Sequence, residues 1–204
     1  MAAGDSARAV AKRRLSFSRG LRAWQAAATH LLGRVAIRKL DRDYCIATWD
    51  CVLIQLWRRE VTAEAVGHLI EITRSFSEEQ ARPVCSIAVI ERTSPPPAEQ
   101  VRSSLSRFYR DFAADFASAV VVAEGGGFRS ALVRGVGVAL SMLAPKTLPF
   151  EFVATVRQAA VIIGGHLSAA SGGATGLERS VEEVRMQLER EQTSAFAIRT
   201  LRRH

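Results

Sequence analysis

The chain has few of the residues that bind metals or cross-link small folds. Its 204 residues include three cysteines, Cys45, Cys51 and Cys85, and four histidines that stand singly. A zinc site takes about four Cys or His ligands at close spacing, so the sequence predicts no metal site. An odd number of cysteines in apolar segments is typical of buried thiols in a reducing compartment, and we therefore expect a cytoplasmic protein.

Long apolar runs and nucleotide-binding signatures are missing as well. The longest apolar stretch is interrupted by Arg134 and is shorter than the roughly 20 residues that a membrane-spanning helix requires. The glycine-rich segment that begins at Gly125 contains neither the Gly-Lys-Ser/Thr of a P-loop nor the G-x-G-x-x-G of dinucleotide-binding proteins. The sequence therefore predicts no transmembrane segment and no cofactor.

The positive charge of the chain is concentrated at its beginning. Residues 1–42 contain ten Lys or Arg against Asp5 and Asp41, a surplus equal to the whole formal net charge of +8. The rest of the chain is balanced and should attract no polyanion over a long distance. We interpret residues 1–42 as a basic N-terminal arm, disordered or partly helical. Contact with nucleic acid or with an anionic membrane surface is expected only there.

The apolar patterns predict a single domain that combines helices and strands. Two β-branched and aromatic segments on either side of Asp50 predict an antiparallel hairpin. Thr62 is expected to cap a helix, and residues 84–90 read as a central strand. Ser94, followed by three prolines, is interpreted as the start of a second helix whose buried row extends to Phe116. We expect a mixed sheet of about five strands with about four helices.

Residues 118–155 are the unit around which this domain is organised. A β-branched strand is followed by three glycines, a helix with an apolar face, and a loop at Pro145. Residues 150–153 then predict a last strand. Thr155 is expected to cap a short helix over residues 156–163, which two glycines end.

The C-terminal region, residues 166–204, is interpreted as a flexible linker followed by an amphipathic helix. Its apolar residues recur at helical spacing, at Leu177, Val181, Val184 and Leu188. The row is too short to specify a coiled coil by itself. Docking on its own domain and docking on a partner both remain open.

Candidates for catalysis are sparse. Glu91 and Glu124 follow predicted strands, where the sites of α/β proteins usually lie, and an acid/base pair there is one interpretation. Ser94 and Ser130 lack the G-x-S-x-G setting of a nucleophile, and no histidine accompanies the cysteines. The sequence predicts no specific catalytic residue.

The order of elements, together with the segment from Glu124 through three glycines to Arg129 and the segment that begins at Phe150, resembles the STAS-like fold of anti-sigma-factor antagonists and the related Sec14-like proteins. The resemblance covers residues 43–165. In antagonists, the loop after the central strand carries an Asp-Ser-Ser-Gly-type phosphorylation motif. Here that loop contains Thr93 and Ser94 followed by three prolines, without the aspartate and the glycine.

The resemblance implies a non-catalytic, regulatory module that binds a protein partner. Thr93, Ser94 and Arg129 are the expected partner-binding residues. Two alternatives remain open. One is a small-ligand or lipid-binding protein of the Sec14-like type, with a pocket between helices and sheet. The other is a small enzyme that uses Glu91 and Glu124.

Overall fold

A computed structural model describes residues 33–125 and 147–201, with side chains as far as residue 194. These residues form a mixed sheet of six strands, in which each strand pairs with its neighbours in chain order. The strands are β1 (Ala36–Leu40), β2 (Tyr44–Trp49), β3 (Val52–Trp57), β4 (Val84–Ile90), β5 (Phe116–Ala123) and β6 (Phe150–Val153). The first three strands are antiparallel, and β3 to β6 are parallel.

Helices cover both faces of the sheet, so the fold class is α/β as predicted. The four α-helices of the described residues are α1 (Ala63–Glu79), α2 (Glu99–Asp111), α3 (Val156–Ile163) and α4 (Gly173–Leu201). One apolar cluster joins α1 and α2 to the first face, and a second joins α3 and α4 to the other face. Parallel strands need cover on both faces, which explains why their sequences are almost continuously apolar.

The edge strand β1 lies in the segment that the sequence assigned to the basic arm. Its register with β2 shifts between Ile37 and Lys39, which marks a bulge. Arg38 fixes it in place, because its guanidinium bonds the Thr48 hydroxyl at 3.0 Å and the Glu79 carboxylate of α1 at 2.6 Å. The sheet therefore has six strands instead of about five, and residues 36–40 belong to the domain. The basic residues of the arm up to residue 32 lie outside the described residues.

The predicted hairpin is confirmed, and its turn also holds the region before α4. Asp50 has φ of 52°, a left-handed conformation that aspartate tolerates. Its buried carboxylate accepts hydrogen bonds from the Arg82 guanidinium, from the Ser168 amide at 2.8 Å and from the Ser171 hydroxyl at 2.7 Å. Residues 168–171 are thus anchored to the sheet and do not form the flexible linker that the sequence predicted.

The second helix begins later and ends earlier than predicted. Ser94 does not cap it, because its hydroxyl donates to the carbonyl oxygen of Arg59, and α2 starts only at Glu99. The three prolines in between have no amide hydrogen and favour an extended chain. At the other end, a turn follows Phe112, and Phe116 is the first residue of β5. The predicted helix between β5 and β6 lies outside the described residues.

The apolar row of α4 docks on its own domain. Leu177, Val181, Val184 and Leu188 are all fully buried or nearly so in the second cluster, among side chains of β2 to β5 and α3. The alternative in which this apolar row docks on a partner is therefore wrong for residues 177–188.

Thr155 caps α3 as predicted and forms a capping box with Gln158.

Gly176 on α4 should be intolerant of a side chain. A Cβ at this position would come within 2.8 Å of the Trp49 ring, which is itself buried. We expect Gly176→Ala to lower the free energy of unfolding by about 2 kcal/mol, although alanine favours helices. Gly67→Ala on the exposed side of α1, where the Cβ would meet nothing within 4 Å, is the matched control and should be stabilising. Urea unfolding measures the change in the free energy of unfolding for both variants. Changes of the same sign would contradict the packing argument.

Candidate functional site

The carboxyl ends of the parallel strands meet at one edge of the sheet, where α/β proteins usually bind ligands. We call this the carboxyl edge. Arg58 follows β3, Glu91 follows β4, Glu124 follows β5 and Ala154 follows β6. The two acids that the sequence singled out are therefore brought together, as expected from adjacent strands.

Glu91 is bound by two arginines. Arg58 donates to both of its carboxylate oxygens, from Nε at 2.5 Å and from a terminal nitrogen at 3.0 Å. Arg185 of α4 donates to Oε1 at 2.5 Å. The Glu91 side chain is only 10% exposed, so this carboxylate is a nearly buried charge that depends on its two partners.

Arg185 also binds the second acid. It donates to Glu124 at 2.9 and 3.3 Å, and its Nε lies 3.3 Å from a carboxylate oxygen of Glu182 on the same helix. One guanidinium thus joins α4 to the ends of β4 and β5. We call Arg58, Glu91, Glu124 and Arg185 the edge network.

The electrostatics of the edge network keep the two arginines charged. The hydrogen bond with Glu91 raises the pKa of Arg58 despite its partial burial. Burial lowers the pKa of Arg185, but its hydrogen bond with Glu124 and the nearby carboxylates outweigh this and raise it. Charged donors thus occupy oxygens of both acids in this arrangement.

An open cleft of about 410 Å³ adjoins the edge network. Its walls include Arg92, Glu124, Gly125, Thr155, Glu178 and Arg185. Gly125 has φ of 109°, and a Cβ there would come within 3.0 Å of the Arg92 side chain. The glycine therefore allows both the turn after β5 and the close approach of Arg92.

The loop of residues 92–98, which we call the proline loop, is fastened at the same edge. Thr93 is exposed, and its hydroxyl donates to the Arg58 carbonyl at 2.6 Å. Ser94 is 3% exposed, and its hydroxyl donates to the Arg59 carbonyl at 2.7 Å. Thr93 is thus available to a partner at the surface, whereas Ser94 holds the loop from within. Arg129, the third expected partner-binding residue, lies outside the described residues.

His68 has a different partner from the one its spacing suggests. It lies four residues after Glu64 on α1, a spacing that favours a pair on the helix surface. Its Nδ1 instead lies 2.8 Å from the Tyr44 hydroxyl, and the Tyr44 ring stacks on Trp57 with centroids 5.2 Å apart. Burial raises the pKa of Tyr44 to about 12, so the phenol stays protonated at neutral pH. This contact fixes α1 to the start of β2.

Sequence reasoning missed both arginines of the edge network. Arg58 directly follows a predicted strand, as Glu91 and Glu124 do. This position could have identified it as a residue of the same site. Arg185 directly follows Val184 of the apolar row, in a helix whose docking site the sequence left open. Its role depends on where α4 packs, which is a non-local property.

The described residues contain neither a metal-binding group nor a membrane-spanning helix. Within residues 33–125 and 147–201, no group of three or more His, Cys, Asp or Glu side chains could hold a metal ion. Among the helices of the same residues, none combines the length and the apolar character needed to cross a bilayer.

Comparison with known proteins adds no assignment. The chain matches no model of a known protein family, and it matches no curated protein.

Proposed function

We propose that the protein is a non-catalytic, cytoplasmic interaction module of the STAS-like type, and that its carboxyl edge binds a regulatory protein partner. The order of elements supports the resemblance: a hairpin, then helix, strand, helix and strand, and finally a strand followed by a helix. The three free, buried cysteines fit a reducing compartment.

The single observation that carries the proposal is the fastened proline loop. Two hydroxyls bond the neighbouring loop after β3, and Ser94 N–H donates to the Glu91 carbonyl at 3.0 Å. Three consecutive prolines further restrict the backbone. A loop that is ordered before binding loses little conformational entropy on association, so its exposed groups, Arg92 and Thr93, can contribute their full contact energy to a partner.

The edge network supports a binding role over a catalytic one. Its carboxylates are engaged with Arg58 and Arg185, which leaves the exposed loop groups as the accessible chemistry of this edge. The enzyme alternative would require Glu91 or Glu124 to exchange an arginine for a substrate. At Glu91, which is only 10% exposed, the exchange would leave a nearly buried charge with one partner fewer, which is costly.

The test compares two charge reversals in the full chain. Arg92→Glu changes the proline loop, whereas Arg107→Glu changes an exposed residue near the other end of α2. Each protein is used to capture partners from an extract of its source cells, and the partner is then purified and titrated directly. We expect Arg92→Glu to weaken binding by roughly tenfold or more, because like charges across an interface repel, and Arg107→Glu to bind like the unsubstituted chain.

Equal affinity of all three proteins for the purified partner would contradict the proposed surface. Recovery of no protein, with a small molecule retained in native mass spectra of the captured chain, would favour the second candidate function. That candidate is a small-ligand protein using the 410 Å³ cleft. The charged walls of the cleft suit a polar ligand better than a lipid tail.

The basic arm is a separate part of the proposal. The surplus of eight positive charges in residues 1–42 supports contact with nucleic acid or an anionic membrane surface through that segment alone.

A further inference from the structure

Two cysteines lie side by side at the opposite edge of the sheet, where the parallel strands begin. Cys51 belongs to the hairpin turn, and Cys85 is the second residue of β4. The Cys85 amide donates to the Cys51 carbonyl at 2.7 Å, which places the two residues side by side. Both side chains belong to the second apolar cluster and have no measurable exposure. The third cysteine, Cys45, lies near the far end of the hairpin, where it pairs with Leu56.

Polar groups surround this pair although it lies in an apolar cluster. The Cys51 thiol donates to the carbonyl oxygen of His166 at 3.5 Å. Arg82 and Asp50 form an ion pair next to the same turn. On the inner side, Ser118 is the register partner of Cys85, and its buried hydroxyl has no hydrogen-bond partner within the part of the chain that the structure describes. A charged or oxidised sulfur would find both a cation and a free hydroxyl here.

The two thiols are not equivalent. The hydrogen bond from Cys85 lowers the pKa of Cys51, and the positive charge of Arg82 acts in the same direction. The same hydrogen bond, together with burial, raises the pKa of Cys85. By contrast, burial alone raises the pKa of Cys45 to about 12. Thiolate reactivity should therefore be greatest at Cys51.

We propose that Cys51 and Cys85 form a redox-active pair that closes to an intramolecular disulfide when the protein meets a peroxide. This inference is independent of the partner-binding surface at the carboxyl edge. In a reducing compartment, the protein would carry this disulfide only while oxidant is present.

The reaction balances in two steps. Cys51 releases its thiol proton, and the thiolate attacks one oxygen of hydrogen peroxide. The O–O bond breaks, a sulfenic acid forms, and the departing hydroxide takes up the released proton to become water. The Cys85 sulfur then attacks the Cys51 sulfur, the S–O bond breaks, and the second water leaves with the proton from Cys85. Two thiols and one peroxide thus give one disulfide and two waters. A small thiol reductant reverses the product by exchange.

The test uses variants that each retain two cysteines. Cys45→Ala keeps the proposed pair, and Cys51→Ala is the matched control, with two thiols that do not adjoin. Each folded protein is exposed to hydrogen peroxide, quenched with catalase and denatured, and its free thiols are titrated. We expect Cys45→Ala to lose both thiols, to lose two hydrogens in intact mass, and to recover on reduction. We expect Cys51→Ala to retain both thiols or to gain oxygen without a cross-link.

Peptide mapping of the unsubstituted chain provides a readout that does not depend on the folding of a variant. Chymotrypsin cuts after Trp49 and so separates Cys45 from Cys51. A cross-linked peptide containing Cys51 and Cys85 supports the proposal. Persistence of all three thiols, a cross-link through Cys45, or disulfides only between copies of the chain would each overturn it.

Discussion

Leu188→Ala should lower the free energy of unfolding by about 3 kcal/mol, in the range of leucine truncations in well-packed cores. Leu188 has no measurable exposure and packs in the second apolar cluster, although it lies only 13 residues from the last residue of α4. The alanine would leave a cavity between α4 and the second face of the sheet. Urea unfolding followed by circular dichroism measures the change.

Met186→Ala is the control for this substitution. Met186 lies two residues away on the same helix and is 44% exposed, so its truncation should change the free energy of unfolding by no more than about 0.5 kcal/mol. If both variants unfolded at the same urea concentration as the unsubstituted chain, α4 would not be part of the folded domain. The apolar row would then be free to serve as a surface for a partner.

Arg185→Met should cost about 3 kcal/mol as well, for an electrostatic reason. Methionine keeps most of the apolar stem, but Glu91 loses one of its two arginines and Glu124 loses its contact with the helix. Glu91 then keeps Arg58 alone, and Glu124, which is 26% exposed, loses the guanidinium that binds it, so the cost should exceed that of losing a surface ion pair. The midpoint of urea unfolding should fall accordingly.

The exposed Arg190 of α4 offers the matched substitution. Arg190→Met should be nearly neutral, because a charge in water makes little net contribution. Adding Glu124→Gln to Arg185→Met should restore part of the lost stability, since the amide needs no cation. A cycle in which the two changes were simply additive would show that the edge network contributes nothing beyond packing.

Elements with local signals were predictable from the sequence. Thr62 and Thr155 cap α1 and α3 as their positions before apolar periodic segments suggested. The hairpin followed from two β-rich segments around Asp50, and the nearness of Glu91 to Glu124 followed from the parallel arrangement of β4 and β5. In each case the residues that decide the structure are close in sequence or lie on adjacent strands.

The remaining features depend on contacts between distant residues. Serine often caps helices, but the Ser94 hydroxyl donates to the carbonyl oxygen of Arg59, 35 residues earlier. Phe116 continues the helical spacing of α2, yet it pairs with Val84 in the sheet. Arg185 reaches Glu91 across 94 residues. Sequence spacing cannot reveal such contacts, because the partner is set by the packing of whole elements.

The position of α4 has a consequence for synthesis. Until this helix has left the ribosome, it cannot cover the second face of the sheet. Apolar side chains of β2 to β5 on that face then remain exposed to solvent. Glu91 is then without Arg185 as well. Folding of the sheet should therefore be completed only after translation has passed residue 188, and ribosome-bound intermediates should be substrates for chaperones that recognise apolar surfaces.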